Sequence, residues 1–325
     1  MNTRHLSRAS RRAILARILG WSTPIALLAT FLFFAASVPY FATLSTFLEL
    51  LNQTVVLGIL ALAFLFVHVS GGFDISIGAT CSFAGVIAAL IFRQSGGTAE
   101  AILAGLGVGV LIGIINAFLC GIVKIEPILA TLSIMFVVQG IELMITKASG
   151  LYPRMPSGFL FLGRGSVFHV PFSVIVLLAL ALLSRFILRR TRFGANLYAT
   201  GGNRETARAC GINVRALSMS SYVVSGILAS FAGIMLTSRL GSAQTMAGEG
   251  YLLYAIGAVF LSTTMFGVGQ SNVEGSILGA VFMMTISTGL TMANIWWYWQ
   301  YVVTGLLLLL AVMATSLRRR LSAGL

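Results

Sequence analysis

Residues Thr191 to Ala216 read TRFGANLYATGGNRETARACGINVRA, a polar and basic island between two long apolar blocks. The blocks, Val167–Leu188 and Leu217–Thr237, are each about 20 residues long, enough to cross the roughly 30 Å hydrocarbon core of a bilayer as a helix. The island is therefore where a membrane protein meets something soluble. Within it Asn203 is placed to cap a short helix by accepting from free backbone N–H groups. Glu205 follows in the positive first turn, and Gly211 suits the left-handed closing position. The helix so bounded has about two turns, some 10–12 Å. Gly201 and Gly202 before it, and Gly194 further back, let the chain reverse direction without a side chain's steric cost at positive φ.

The composition around the island agrees. Hydrophobic residues make up 58% of the 325 and charged residues only 9%, with a mean hydropathy of +0.98, whereas a soluble domain carries far more charge. The fold class is an all-α integral membrane protein, a polytopic bundle of about ten transmembrane helices. The net charge of +13 does not point to nucleic acid, because the arginines cluster at membrane edges rather than among aromatics on one soluble face. Cys81, Cys120 and Cys210 lack CxxC or His spacing, which reads as small hydrophobes rather than a disulfide or metal set.

In chain order, residues 1–20 form a basic N-terminal segment with Arg4, Arg8, Arg11, Arg12 and Arg17. They lead into a retained anchor, Trp21–Val38, with no convincing cleavage pattern. Further spans are expected at Leu50–Val69, Ala79–Phe92, Ala101–Val123, Ile128–Thr146 and Val167–Leu188, with a loop over 147–166. After the cytoplasmic segment 189–216 come Leu217–Thr237, Tyr251–Met265, Ile277–Ala293 and Trp296–Ser316. One transmembrane domain thus runs over 21–316, and 317–325 is a basic tail. The third and eighth spans, crowded by Gly and polar residues at their ends, are candidates for re-entrant segments.

Charge counting orients this bundle. With ten crossings and a cytoplasmic N-terminus, one side collects the five N-terminal arginines, Lys124, seven arginines from Arg185 to Arg215, and Arg318–Arg320. The other keeps only Arg93, Lys147, Arg154, Arg164 and Arg239. The excess places both termini and the island in the cytoplasm, and Trp296, Trp297, Tyr298 and Trp299 at the outer interface, where amphipathic rings are favoured. The 35 glycines concentrate in the apolar runs. Gly105 and Gly109 form a GxxxG pair, read as close helix packing.

No enzyme constellation is visible. Lys124 and Lys147 are the only lysines and neither follows Gly, so the phosphate-cradling GxxxxGK[ST] loop is absent. His5, His68 and His169 lack paired metal-ligand spacing, and no nucleophile elbow occurs. The charge most in need of an explanation is Asp74, in VSGGFDISIG beside Gly71, Gly72 and Ser76. An acid at the membrane faces a cavity, a partner or an interface. The plainer reading is a cap, with Asp74 accepting from Ser76 or Ile77 N–H to start the third span.

These stretches together resemble the permease subunits of ribose-type sugar ATP-binding cassette importers. Such permeases carry T-R-F-G, A-x-G-G-N and G-I-x-V in order, as the island does. GGFDISIG resembles their GGIDLSVG element, KIEPILATL their KIPxFIxTL element, and YVVSGILASFAGIMLTSR their seventh span. The resemblance covers about Thr54 to Thr315. It implies a bacterial inner-membrane protein in which two permease subunits form the pathway, served by ATPase subunits that use ATP and Mg, and by an extracytoplasmic solute-binding protein that delivers a sugar. The chain itself would bind no cofactor. It also implies that Gly201, Gly202, Asn203, Glu205, Ala207, Arg208 and Gly211 dock the ATPase, a rigid capped helix passing on a push that a floppy loop would dissipate.

The sequence departs from that pattern at GYLLYAIG, where Leu252 and Tyr254 stand in place of acids, and at FGVGQSNVEG. These changes point to an unusual substrate or to pairing with a second, more typical permease, and the heteromeric reading is preferred over the homodimer. The competing function is a stand-alone carrier or channel, whose ion coupling would have to use Asp74, Glu126, Glu142 or His68.

Overall fold

The computed structural model describes residues 22–265, 269–296 and 298–306, with 309 and 313. The basic segments 1–20 and 317–325 and part of the expected tenth span lie outside these residues. The order is α1 (Ser22–Ser37), α2 (Leu44–Val69), α3 (Ile77–Arg93), α4 (Thr98–Phe118) continued by a π-helical turn (Leu119–Val123), and α5 (Pro127–Thr146). Then come α6 (Ser157–Arg164), the hairpin β1 (Ser166–Val167) and β2 (Val170–Pro171), and α7 (Phe172–Arg190). The island forms α8 (Arg192–Gly202) and α9 (Arg204–Ala209), followed by α10 (Val214–Leu240), α11 (Glu249–Ser262) and α12 (Val273–Met292). A further helical stretch covers 298–306.

Six helical segments are long and apolar enough to cross a membrane: Leu44–Val69, Thr98–Val123, Pro127–Thr146, Phe172–Arg190, Val214–Leu240 and Val273–Met292. Burial separates the centre of the bundle from its periphery. The apolar window of α2 is 83% buried and that of α10 61%, against 28% for α4, α5 and α7. A helix apolar on every side must be wrapped by others, and α2 has its core residues Leu57–Leu65 shielded by α3, α7, α10, α11 and α12. The outer faces of α4, α5 and α7 display Leu111, Phe136 and Leu182, as helices do that meet lipid.

Small residues set the tightest crossing. Gly109 of α4 faces Gly226 and Ser230 of α10 so closely that a Cβ on either glycine would collide with the other's backbone carbonyl or the serine. Such small-residue contacts are how helices associate without a hydrophobic drive between them. Gly226→Leu is expected to separate α4 from α10 and cost about 3 kcal/mol. Thermal unfolding in detergent, with Gly107→Leu at a position facing open space as the control, checks this.

Three expectations shift. The second helix begins at Leu44, because Thr43 caps it by accepting from Thr46 N–H. The loop over 147–166 contains α6, whose Phe159 is fully buried against Phe92. The segment after α10 descends into the bundle from the level of Leu151 and Ser149. There Glu142 Oε1 accepts from Met246 N–H at 2.8 Å and Ser82 Oγ from Gly248 N–H at 2.7 Å. Helix α11 therefore starts part-way down the bundle, and its 14 residues span about 21 Å, less than the hydrocarbon core. The eighth expected segment is thus a short helix entered through a buried loop.

Candidate functional site

Three caps in series shape the island. Thr191 donates to the Ile187 carbonyl (2.6 Å) and accepts from Gly194 N–H (3.3 Å), turning α7 into α8. Asn203 Oδ1 accepts from Glu205 and Thr206 N–H, both at 3.0 Å, and opens α9 with Glu205 in its first turn. Asn213 Oδ1 accepts from Ala216 N–H (3.0 Å) and starts α10. At the end of α9, Gly211 takes φ +78°, its N–H donating to the Arg208 carbonyl and that of Ile212 to the Ala207 carbonyl. This paired closure needs a left-handed residue, which glycine supplies without strain. Ala207 is buried, whereas Asn203, Glu205 and Arg208 are exposed. The helix leans on one small side chain and leaves its polar residues exposed.

Gly201 and Gly202 do not form the chain reversal expected of them; both are helical, at the end of α8. Gly201 is instead a contact point. A Cβ there would collide with the carbonyl of Val69, the last residue of α2, and Gly71 lies directly against it. The two glycine pairs singled out in the sequence, Gly71–Gly72 and Gly201–Gly202, thus belong to one place, where α8 abuts the end of the most buried helix.

From there the 70–76 loop reaches across the bundle. Asp74, 2% exposed, accepts through Oδ1 from Ser76 N–H (3.0 Å) and Ser76 Oγ (2.6 Å), and through Oδ2 from Ser225 Oγ of α10 (2.9 Å). Ser76 Oγ accepts in turn from Asn116 Nδ2 of α4 (2.8 Å). Ile75 N–H donates to Thr131 Oγ1 of α5 (3.1 Å), and Tyr222 OH to the Phe73 carbonyl (3.3 Å). Ser70 and Ser221 hydroxyls meet at 3.1 Å. One seven-residue loop is hydrogen-bonded to α4, α5 and α10 while its Gly71 touches α8. Asp74 does make the turn with Ser76, but its second oxygen ties two distant elements together. The partners Ser225, Asn116 and Thr131 escaped the sequence reading. Their only signal was a single polar residue inside an apolar span, which many satisfied residues share.

The other candidates separate. Glu142 is fully buried against the segment before α11, Glu126 is exposed before α5, and His68 stacks on Phe64 and meets Phe260 edge-on. The two unusual stretches also part company. Tyr254 lies in α11, while Glu274 opens α12 and pairs with Arg185 (2.7 Å) and Arg189 (3.3 Å) of α7. Phe266–Val268 lie outside the described residues. Beside Glu274, Tyr198 of α8 donates to the Ser271 carbonyl (2.8 Å), and burial raises its phenol pKa against the opposing pull of Arg189. Exposed pairs of this kind contribute little, so Glu274→Gln is expected to cost under about 1 kcal/mol in thermal unfolding. A larger loss would mean that α7 and α12 depend on the pair.

Among the described residues no group of three or more His, Cys, Asp or Glu is placed to hold a metal ion. The sequence pattern of the family described as "Branched-chain amino acid transport system / permease component" matches residues 46–312. The chain is 32% identical over 295 residues to the ribose import permease protein of Escherichia coli (strain K12), covering 90% of this chain and 92% of that one. It is 31% identical over 282 residues to the D-allose transport system permease protein of the same strain, covering 86% of each chain. Its identity to that strain's galactose/methyl galactoside import permease protein is 29% over 301 residues, covering 86% of this chain and 89% of that one. No solved structure matches. With an apolar helical bundle, a capped polar island bound to its central helix and a family pattern over most of its length, the chain belongs to the branched-chain amino acid transport system permease family and is a transport subunit rather than an enzyme.

Proposed function

We propose that this chain forms, with a second permease subunit, the pathway by which an ATP-binding cassette importer of the bacterial inner membrane takes in a sugar or sugar-like solute. The solute class follows the ribose, allose and galactose permeases to which the chain is similar. In this reading ten spans leave both termini in the cytoplasm. An ATPase docks on α8 and α9 through Asn203, Glu205, Arg208 and their glycine neighbours, and a solute-binding protein delivers the substrate outside. The observation that carries the coupling role is the contact of Gly201 with Val69 and Gly71. A push on α8 reaches the end of α2 through backbone, and the Asp74 loop hands it to α4, α5 and α10.

Uptake of labelled sugar by the reconstituted complex tests the reading. Asn203→Ala removes both cap bonds, worth about 1 kcal/mol, and uptake is expected to fall about fivefold with ATPase, binding protein and permease still co-purifying. Asn203→Asp, which keeps an acceptor, restores it. Uptake unchanged in the alanine variant would remove α9 from the coupling path, and counter-flow of labelled sugar through the chain without any ATPase would favour a stand-alone carrier. The stoichiometry of permease chains in the active complex decides between a homodimer and the preferred heteromeric pairing.

A further inference from the structure

We infer that the cytoplasmic end of the bundle holds a binding site for the phosphate-bearing headgroup of an anionic phospholipid. A cavity of about 770 Å³ opens between α9, the π-helical turn after α4 and the first turns of α10. Four cations line it: Lys124 from the turn, Arg204 and Arg208 from α9, and Arg215 from α10. Glu126 is the one acid among the lining residues. None of the four cations makes an ion pair among the described residues, where the salt bridges are Arg185 and Arg189 with Glu274 and Arg239 with Glu49. Four cations against a single carboxylate leave a surplus of positive charge, and a bound anion relieves their mutual repulsion.

The local backbone is built to make this convergence. A π-turn is a departure from the α-helical ladder that recurs at functional sites. Here it ends with Lys124 in a left-handed conformation, φ +65°. Arg204 and Arg208 are four residues apart and so share one face of α9. Both line the cavity while remaining exposed. Ser218 Oγ, also in the lining, is buried without a hydrogen-bond partner.

The choice of a lipid over a soluble phosphate rests on what continues from the cavity. Ile122 and Val123 of the same turn and Ile125 just beyond it are 43%, 50% and 39% exposed, at the end of a span whose apolar window is only 28% buried. A headgroup held by the cations would leave its acyl chains along that apolar face. Basic pockets between helices at the cytoplasmic surface take anionic headgroups in this manner, at about 1 kcal/mol per cation.

Native mass spectrometry of the full chain, purified in detergent and offered phosphatidylglycerol or phosphatidylcholine, tests the inference. Phosphatidylglycerol is expected to be retained in preference, and Lys124→Gln with Arg215→Gln to weaken retention about fivefold for each cation removed. Arg190→Gln with Arg192→Gln, on the same side but outside the lining, is expected to leave it unchanged. The thiol of Cys120, in the cavity wall, supplies a second readout in a Cys210→Ser background. Its reaction with a neutral maleimide should slow in phosphatidylglycerol-containing vesicles relative to phosphatidylcholine alone. Equal retention of the two lipids, or a preference that survives the double substitution, overturns the site. Protection of Cys120 by inorganic phosphate but not by phosphatidylglycerol overturns the lipid assignment.

Discussion

Asp74→Leu is expected to destabilise the chain by about 3 kcal/mol, because it strands three donors at once in a buried setting. The backbone N–H and hydroxyl of Ser76 and the hydroxyl of Ser225 all point at this carboxylate, at 2.6–3.0 Å. Through Ser76 the defect reaches Asn116, whose Oδ1 is already buried without a partner. Leucine is larger than aspartate and leaves no cavity, so the loss combines the stranded donors with crowding, which the near-isosteric asparagine avoids. Asp74→Asn keeps one acceptor oxygen and is expected to cost only about 1 kcal/mol. Thermal unfolding followed by size-exclusion chromatography in detergent measures both. Equal stability of the two variants would show that the carboxylate does not hold the loop.

The second large effect separates two glycines that look equivalent in sequence. Gly201→Ala places a methyl group against the Val69 carbonyl. It is expected to force α8 away from α2, at about 2 kcal/mol of stability, and to lower uptake by the assembled importer more than tenfold. Gly202→Ala meets nothing within 4 Å and is expected to stay within about 0.5 kcal/mol of the parent. The pair also tests the transmission path. If Gly201→Ala unfolds part of the chain yet the residual folded complex transports at the parental rate, the α8–α2 contact is structural only.

Legibility varied with how local the physics was. The cap at Asn203 and the left-handed Gly211 follow from residue type and spacing over a few positions, and both stand in the structure as read. Most apolar runs became helices within a few residues of their expected bounds. The glycines at 201 and 202 were misread because a helix C-terminus and a loop use the same residue, and only the approach of Val69 distinguishes them. Glycine crowding marked the third and eighth segments, and α3 and α11 are among the shorter apolar helices. The bonds to Glu142 and Ser82 set where α11 begins.

Sequence alone determined that this protein is a helical membrane bundle, since no soluble fold accommodates 58% hydrophobic residues in 325, and that its island carries a capped helix. Tertiary structure alone decided that the island and the Asp74 loop are one site. Gly71 and Gly201 are 130 residues apart in the chain, and nothing local to either encodes the other's position. Their meeting depends on α2 being buried at the centre of the bundle while α8 turns beneath it, a consequence of packing many helices at once.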